Sequence, residues 1–291
     1  MSTVIELIEA GARALQQAGV AFGHGTTNAF DEAAWLTLWR LGLPLDDLDR
    51  VAQREVAAAD AQAVQTLIAQ RIATRRPAAY LTGEAWLQGV PFTIDERAIV
   101  PRSFIAELIA NGVIDPWLGA HTRAVLDLCT GNASLAVLAA LAWPEVHVDA
   151  ADISPDALEV AALNVARHRL QARITLLQSD GLRQVHGRYD LILCNPPYVN
   201  TQSMAALPPE YRAEPALALA GGGDGMNFIR PLLAEAPAHL NPGGVLVLEI
   251  GHERAHFEAA FASVRSQALW LPTSAGEDQT LLLTREMLDR C

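Results

Sequence analysis

The sequence contains no lysine: all 21 of its basic residues are arginine. That absence excludes chemistry built on a lysine amine, including Schiff-base aldolases, pyridoxal phosphate enzymes, the phosphate-binding P-loop and the protein kinases. Asp and Glu outnumber the basic residues 33 to 21, and the net charge of −12 leaves no basic footprint for a general nucleic-acid binder. Cysteine is scarce. Cys129, Cys194 and Cys291 are odd in number and far apart, so neither a zinc ribbon nor a disulfide framework follows. Residues 1–10 carry two Glu and no basic residue, unlike a signal peptide. The longest apolar stretch, residues 135–143, is about half of the ~20 residues a membrane span needs. These absences predict a cytoplasmic protein with no membrane partner and no stable nucleic-acid partner.

What is present is ample core material: 291 residues, 51% of them hydrophobic, enough for one large or two modest domains. The first 80 residues read as helices, with no strand pattern. Val4, Leu7, Ile8 and Leu15 have helical spacing in an opening helix that stops near Gly19. A second helix is expected over 31–41 and a third over about 49–74, closing at Arg75-Arg76-Pro77 with charge and proline that suit a helix C-terminus. Residues 81–102 change character. Ala85-Trp86-Leu87 and Phe92-Thr93-Ile94, punctuated by Gly83, Gly89 and Pro91, predict a hairpin linker. From 103 to 291 strands and helices alternate, which predicts an α/β domain with a mostly parallel sheet covered on both faces.

Such sheets bind ligands at the carboxyl ends of their strands, and the polar residues worth weighing fall there. The strand ending near Asp127 runs into a small-residue turn, Leu128-Cys129-Thr130-Gly131-Asn132-Ala133. Small residues let a ligand approach the backbone, and free helix N-terminal amides favour polar groups. Taken alone, this is equally a plain strand-to-helix turn. Asp152, with Ile153 behind it, closes the next strand 25 residues on. An acidic residue there can accept both hydroxyls of a ribose, although a helix N-cap is the simpler role. One Gly where a dinucleotide fingerprint needs three favours a nucleoside-containing cofactor over a dinucleotide. Asp180, before Gly181, can reach an adenine amino group or merely shape a turn.

Asn195-Pro196-Pro197-Tyr198 directly follows the apolar run Leu191-Ile192-Leu193-Cys194 and carries the most information. Neither proline donates a backbone hydrogen bond, and both have fixed φ. The Asn195 side-chain oxygen and the Pro196 carbonyl can therefore stand as preset acceptors for a planar NH2 group, which has two donors. Tyr198 offers a face to stack on a substrate or to stabilise a cation.

Asp-Leu-Cys-Thr-Gly, Ala-Asp-Ile-Ser-Pro and Asn-Pro-Pro-Tyr, in that order, resemble the S-adenosylmethionine-dependent methyltransferases that act on amino groups. Ala79-Tyr80-Leu81-Thr82-Gly83, Ile99-Val100-Pro101-Arg102 and Tyr211-Arg212-Ala213-Glu214-Pro215, with the glycine run from Gly221 to Gly225, are similar to the protein glutamine methyltransferases. Pro101-Arg102-Ser103-Phe104, where the release-factor branch continues Pro-Glu-Thr-Glu, resembles the branch that modifies ribosomal protein L-three. Phe22-Gly23-His24-Gly25-Thr26 looks like that branch too.

The resemblance implies a small helical N-terminal domain, a β-hairpin linker and a Rossmann-like catalytic domain. It implies S-adenosylmethionine as cofactor and S-adenosylhomocysteine as product, held by Asp127, Leu128, Cys129, Thr130, Gly131, Asp152, Ile153, Asp180, Gly181 and Asn195. It places catalysis at Asn195, Pro196, Pro197 and Tyr198. A monomer acting on a basic ribosomal protein suits the −12 charge. The family commonly has a second Gly where this chain has Ala133.

Two alternatives stand beside this one. One is glutamine methylation of release factors. The other is a zinc peptidase, because His252-Glu253-Arg254-Ala255-His256 matches a pattern that on a helix would put two His on one face with Glu253 as base. The segment from 199 to 225 shows little regular pattern and reads as a loop shaping the protein-substrate site.

Overall fold

The computed structural model describes residues 2–289, so Cys291 lies outside the described residues. The chain divides into a helical unit (1–85 with 207–214) and a sheet unit (86–206 with 215–291).

The helical unit opens with β1 (Ser2–Thr3) and α1 (Val4–Gln17), started by a capping box in which Thr3 and Glu6 exchange side-chain and backbone hydrogen bonds. Next come α2 (Ala29–Arg40), capped by Asn28, then α3 (Leu48–Val51), β2 (Glu55–Val56), α4 (Ala58–Thr74) and α5 (Ala78–Thr82). The third helix expected over 49–74 is therefore interrupted, and the region does contain strands. The reason is tertiary. The first-turn amides of α1 need acceptors; Val4 N–H donates to Arg54 (3.0 Å) and Ile5 N–H to Ala52 (2.9 Å). Those bonds, with β1–β2 pairing, hold residues 52–56 out of helix, although nothing in Ala52-Gln53-Arg54-Glu55 breaks one. Helices α1, α2 and α4 share a core of Val4, Ile8, Leu15, Leu36, Val64 and Ile68. At Gly11 the helices come close: a Cβ there would meet Ile68 at 3.3 Å and Ala33 at 3.4 Å.

Two more strands, β3 (Glu84–Leu87) and β4 (Val90–Thr93), form the predicted hairpin. Its two-residue turn, Gln88-Gly89, has both φ values positive (50° and 74°), the conformation whose twist matches the strands. Then α6 (Ile105–Ala110), β5 (Ala124–Leu128), α7 (Ser134–Ala142), β6 (His147–Asp152), α8 (Pro155–Arg167), β7 (Ile174–Gln178) and β8 (Tyr189–Cys194) alternate as expected. The segment 199–225 is more structured than its sequence suggests. It holds β9 (Val199–Asn200), α9 (Thr201–Ala206), α10 (Pro209–Arg212) and β10 (Ala220–Gly222), with β9 and β10 paired in parallel. The remainder is α11 (Ile229–His239), β11 (Leu240–Glu249), α12 (Arg254–Ala260), β12 (Leu269–Trp270), β13 (Thr280–Thr284) and α13 (Arg285–Leu288).

The seven-stranded sheet has the order β12-β13-β11-β8-β5-β6-β7. The run from β11 to β7 is parallel, and β13 and β12 add antiparallel pairings. Alternate residues of each strand face opposite sides. Leu191 and Leu193 join Val125, Val148 and Val247 under α6, α7 and α8; Ile192 and Cys194 join Leu126, Leu246 and Leu248 under α11 and α13. Both faces are covered, so the central strands are apolar almost throughout. Among the described residues, no helix is long and apolar enough to cross a membrane.

Candidate active site

From β5 the chain builds outward through β6 to β7, then returns to place β8 on the other side of β5. The carboxyl ends of β5 and β8 thus flank the point where strand order reverses, where doubly wound sheets open a crevice. A cavity of about 210 Å³ lies there. Its walls come from strand ends: Leu128, Cys129 and Gly131 after β5, Asp152, Ile153 and Ser154 after β6, Ser179, Asp180 and Gly181 after β7, and Asn195 and Pro197 after β8. Arg97 to Ile99, Pro215, Leu217 and Phe228 complete it. Ile153 and Leu217 are large apolar residues left 44% and 59% exposed at this wall, as expected where an apolar ligand surface is to be covered.

Four of the residues singled out in the sequence are not in the cavity wall. Asp127 is fully buried beneath the turn. Its Oδ2 accepts from Thr130 Oγ1 (2.5 Å) and the Ala136 amide (2.9 Å), and its Oδ1 has no partner. Burial, outweighing those bonds, raises its pKa to about 7. Asp127 and Thr130 therefore brace the turn from below. Pro196 and Tyr198 are also absent from the lining. The Tyr198 hydroxyl donates to Glu249 Oε1 at 3.3 Å.

Asp152 closes β6 at the wall. Its Oδ2 accepts from the Gly131 amide and its Oδ1 from the Ser154 amide, each at 2.9 Å. These bonds aim the carboxylate and leave each oxygen a further lone pair. Burial raises its pKa despite them. Asp180 accepts from Arg183 at 2.7 Å through Oδ2. Cys129 is no nucleophile: its hydrogen bond with Cys194, then burial, push its thiol well above the ordinary range. The turn bends through left-handed residues at Cys129 (φ 61°), Gly131 (55°) and Ala133 (63°). Ala133, completely buried, bears there the steric cost that glycine avoids.

The residues present suit a nucleoside. The half-buried Asp152 carboxylate, with a lone pair left on each oxygen, can take a ribose diol, Ile153, Leu128 and Phe228 supply apolar wall, and a Cβ on Gly131 would meet nothing within 4 Å, so the turn leaves room for a ligand against the backbone.

Sequence reasoning missed three contributors. Asn164 on α8, wholly buried, donates to the carbonyls of Thr93 and Asn132 (2.9 Å each) and accepts from the Thr93 amide (2.7 Å). It ties the hairpin to the turn. Phe228 and Glu249 are the others. Each is a single residue far along the chain with no local motif to mark it.

The zinc pattern does not form its site. His252 precedes α12, Glu253 is its N-cap, and the Glu253 carboxylate is occupied by Asn200 Nδ2 (2.6 Å) and His256 Nδ1 (2.5 Å). The two His are not stacked on one helical turn. Among the described residues, no cluster of three or more potential metal ligands occurs.

Comparison with known proteins decides the family. The methyltransferase small domain model matches residues 108–211, and the PrmC N-terminal domain model matches residues 6–83. The chain is 53% identical to the ribosomal protein uL3 glutamine methyltransferase of Bordetella pertussis, covering 99% of this chain and 97% of that one. It is 49% identical to that of Burkholderia pseudomallei (97% and 94% covered). The chain belongs to the ribosomal protein uL3 glutamine methyltransferase family. Among solved structures, the hMettl16 catalytic domain in complex with MAT2A 3′UTR hairpin 1 superposes with a TM-score of 0.55 at 15% identity, over 87% of this chain and 90% of that one. That likeness concerns the fold alone, the Rossmann-like sheet with flanking helices.

Proposed function

We propose that the cavity at the β5–β8 switch point holds the methyl donor, and that Asn195 presents the acceptor amide to it. The enzyme methylates a glutamine side-chain amide of ribosomal protein uL3, in keeping with relatives named ribosomal protein uL3 glutamine methyltransferase, and the amide nitrogen (N5) is the atom that takes the methyl group. The observation that carries the site assignment is that Asn195 and Pro197 share one cavity with Gly131 and Asp152. Asp152 takes the ribose hydroxyls, Asp180 and Gly181 border the adenine, and Leu128, Cys129, Gly131 and Ile153 pack against the nucleoside. Asp127 and Thr130 act on the cofactor through the turn they brace. S-adenosylmethionine supplies an electrophilic methyl group.

An amide nitrogen is a weak nucleophile because its lone pair is delocalised. The Asn195 side-chain oxygen and the Pro196 carbonyl accept its two N–H bonds, orient it, and favour the positive charge that develops on it. Positioning and fixed dipoles carry the rate, and the nitrogen gives up one N–H proton to water after the methyl has arrived. Pro197 keeps the backbone from offering a competing donor. We further propose a monomer working in the cytoplasm without a nucleic-acid partner, a reading supported by the acidic charge and the free thiols Cys129 and Cys194.

The decisive experiment transfers label from S-adenosylmethionine to unmethylated uL3 and, in parallel, to a class-one release factor, with mass spectrometry locating the methyl group. Label on a uL3 glutamine alone is expected. Asn195→Ala should lower kcat by at least about a hundredfold, with cofactor affinity within about threefold of wild type. Equal loss of both would refute the assigned role.

A further inference from the structure

Tyr198 is held from several sides. A Cβ on Gly221 would lie 2.7 Å from the Tyr198 backbone, and one on Gly251 2.5 Å from its ring. A Cβ on Gly225 would come closer still to the Tyr198 carbonyl oxygen. Three glycines thus leave exactly the space that this backbone and ring occupy, and two of them, Gly225 (φ 80°) and Gly251 (φ 53°), also adopt left-handed backbone. The glycines confine the ring but give its hydroxyl no acceptor, and Glu249 supplies one. The two carboxylate oxygens of Glu249 have separate duties. Oε2 accepts from Ser103 Oγ (2.6 Å) and from the Phe104 amide (2.9 Å) ahead of α6. Oε1 accepts from the Tyr198 hydroxyl. Glu249 is 2% exposed. Burying a carboxylate among neutral donors is costly, and capping a short helix requires only one of its oxygens.

We propose that Glu249, braced by Ser103, is a positioning residue for the methyl transfer: it fixes the Tyr198 ring at the subsite that receives the substrate amide. The proposal rests on the tetrad being that subsite. Glu249 touches no reacting atom; it acts through the tyrosine hydroxyl. The segment around Ser103 thereby reaches the amide subsite through two hydrogen bonds.

The test is a double-mutant cycle on the full chain with purified unmethylated uL3, reading kcat, KM and cofactor affinity separately. Tyr198→Phe keeps the ring and removes the hydroxyl; it should lower kcat about tenfold, the loss of one part-buried hydrogen bond to a carboxylate, with cofactor affinity unchanged. Glu249→Gln should stay within about threefold, because the amide oxygen can serve Ser103 and Phe104 while its NH2 donates to the tyrosine oxygen. Glu249→Leu should match Tyr198→Phe, and the double variant should be no slower than Glu249→Leu alone. If Glu249→Leu does not fold, Ser103→Ala takes its place in the cycle, with a smaller loss that vanishes in the Tyr198→Phe background. Wild-type kcat in Tyr198→Phe, or losses that multiply in the double variant, would overturn the proposal. Asn195→Ala separates the two readings. If it retains activity, the tetrad assignment fails; if it is inactive while Tyr198→Phe is fully active, only the role of Glu249 fails.

Discussion

Both units bury carboxylates, and they neutralise them in opposite ways. In the helical unit Glu32 and Glu210 meet guanidinium cations, and Glu214 lies beside an imidazole. Arg71, itself fully buried, lies 2.9 Å from Glu32 and 3.5 Å from Glu210; Arg75 lies 3.1 Å from Glu210; and His24 Nε2 lies 3.3 Å from Glu214, with the Tyr211 ring against the His24 imidazole. In the sheet unit Asp127, Asp152 and Glu249 meet only N–H and O–H donors. The protonation consequences differ. Burial would raise Glu210, but its own backbone, Arg75, Ala21 and the Arg71 charge outweigh burial and hold it below the ordinary carboxylate range. Burial wins at Asp127, Asp152 and Glu249, which are all raised. Glu32 is intermediate: burial raises it, and Arg71 offsets only part of the rise. The first arrangement locks a fold, since each charge is committed to another. The second leaves carboxylates able to serve a ligand or an aromatic hydroxyl.

The contrast is broken most forcefully at Arg71. Arg71→Met leaves Glu32 and Glu210 buried without their shared cation and should cost about 3–5 kcal/mol in denaturant unfolding of the full chain. A loss within about 0.5 kcal/mol, as at a surface position, would show that the network locks nothing.

Asp127 tests the other half. Its folded-state pKa of about 7 lies above the ordinary 3.8, so the folded protein binds the extra proton. Its contribution to stability is full at low pH, is lost as pH rises through about 4 to 7, and is flat above that. Asp127→Asn, which cannot ionise, should therefore raise stability at pH 8 by roughly 1–3 kcal/mol and by much less at pH 4. Unfolding curves at the two pH values check it, and a pH-independent effect would contradict an uncompensated charge.

The smallest effect is expected at Ala133, a neutral residue whose cost is one of backbone conformation. Ala133→Gly relieves the left-handed strain and should stabilise by about 0.5–1 kcal/mol, part of the gain being lost to glycine's unfolded-state entropy. A destabilising result would show that the Ala133 methyl contributes more by packing than its φ costs.

Much of the sheet was legible because its signals are local. Leu191 to Cys194 is apolar throughout, as a strand covered on both faces must be, and Asn195 follows at once, so the residues that meet at the switch point announce themselves in order. Asp152 and Gly131 share that advantage. Glu249 and Asn164 do not. Ser103 and Glu249 are 146 residues apart, and Thr93 and Asn164 are 71 apart; neither pair alters the local pattern. Residues 52–56 failed for a related reason: Ala52, Gln53, Arg54 and Glu55 suit a helix, but the amides of α1 claim the carbonyls of Ala52 and Arg54. The zinc pattern erred the other way, because its spacing has meaning only on a helix, and α12 begins two residues after His252.

By itself, the sequence determined the alternation of strands and helices, the polar residues at strand ends and the family, since periodicity and contiguous motifs express forces acting between near neighbours. Only the tertiary structure decided that residues 207–214 belong with the helical unit, that Asp127 lies beneath the turn after β5 and not in the cavity, and that the Tyr198 hydroxyl meets Glu249. Each of those outcomes depends on burial and on hydrogen bonds between residues distant along the chain, and both arise only when the chain has closed on itself.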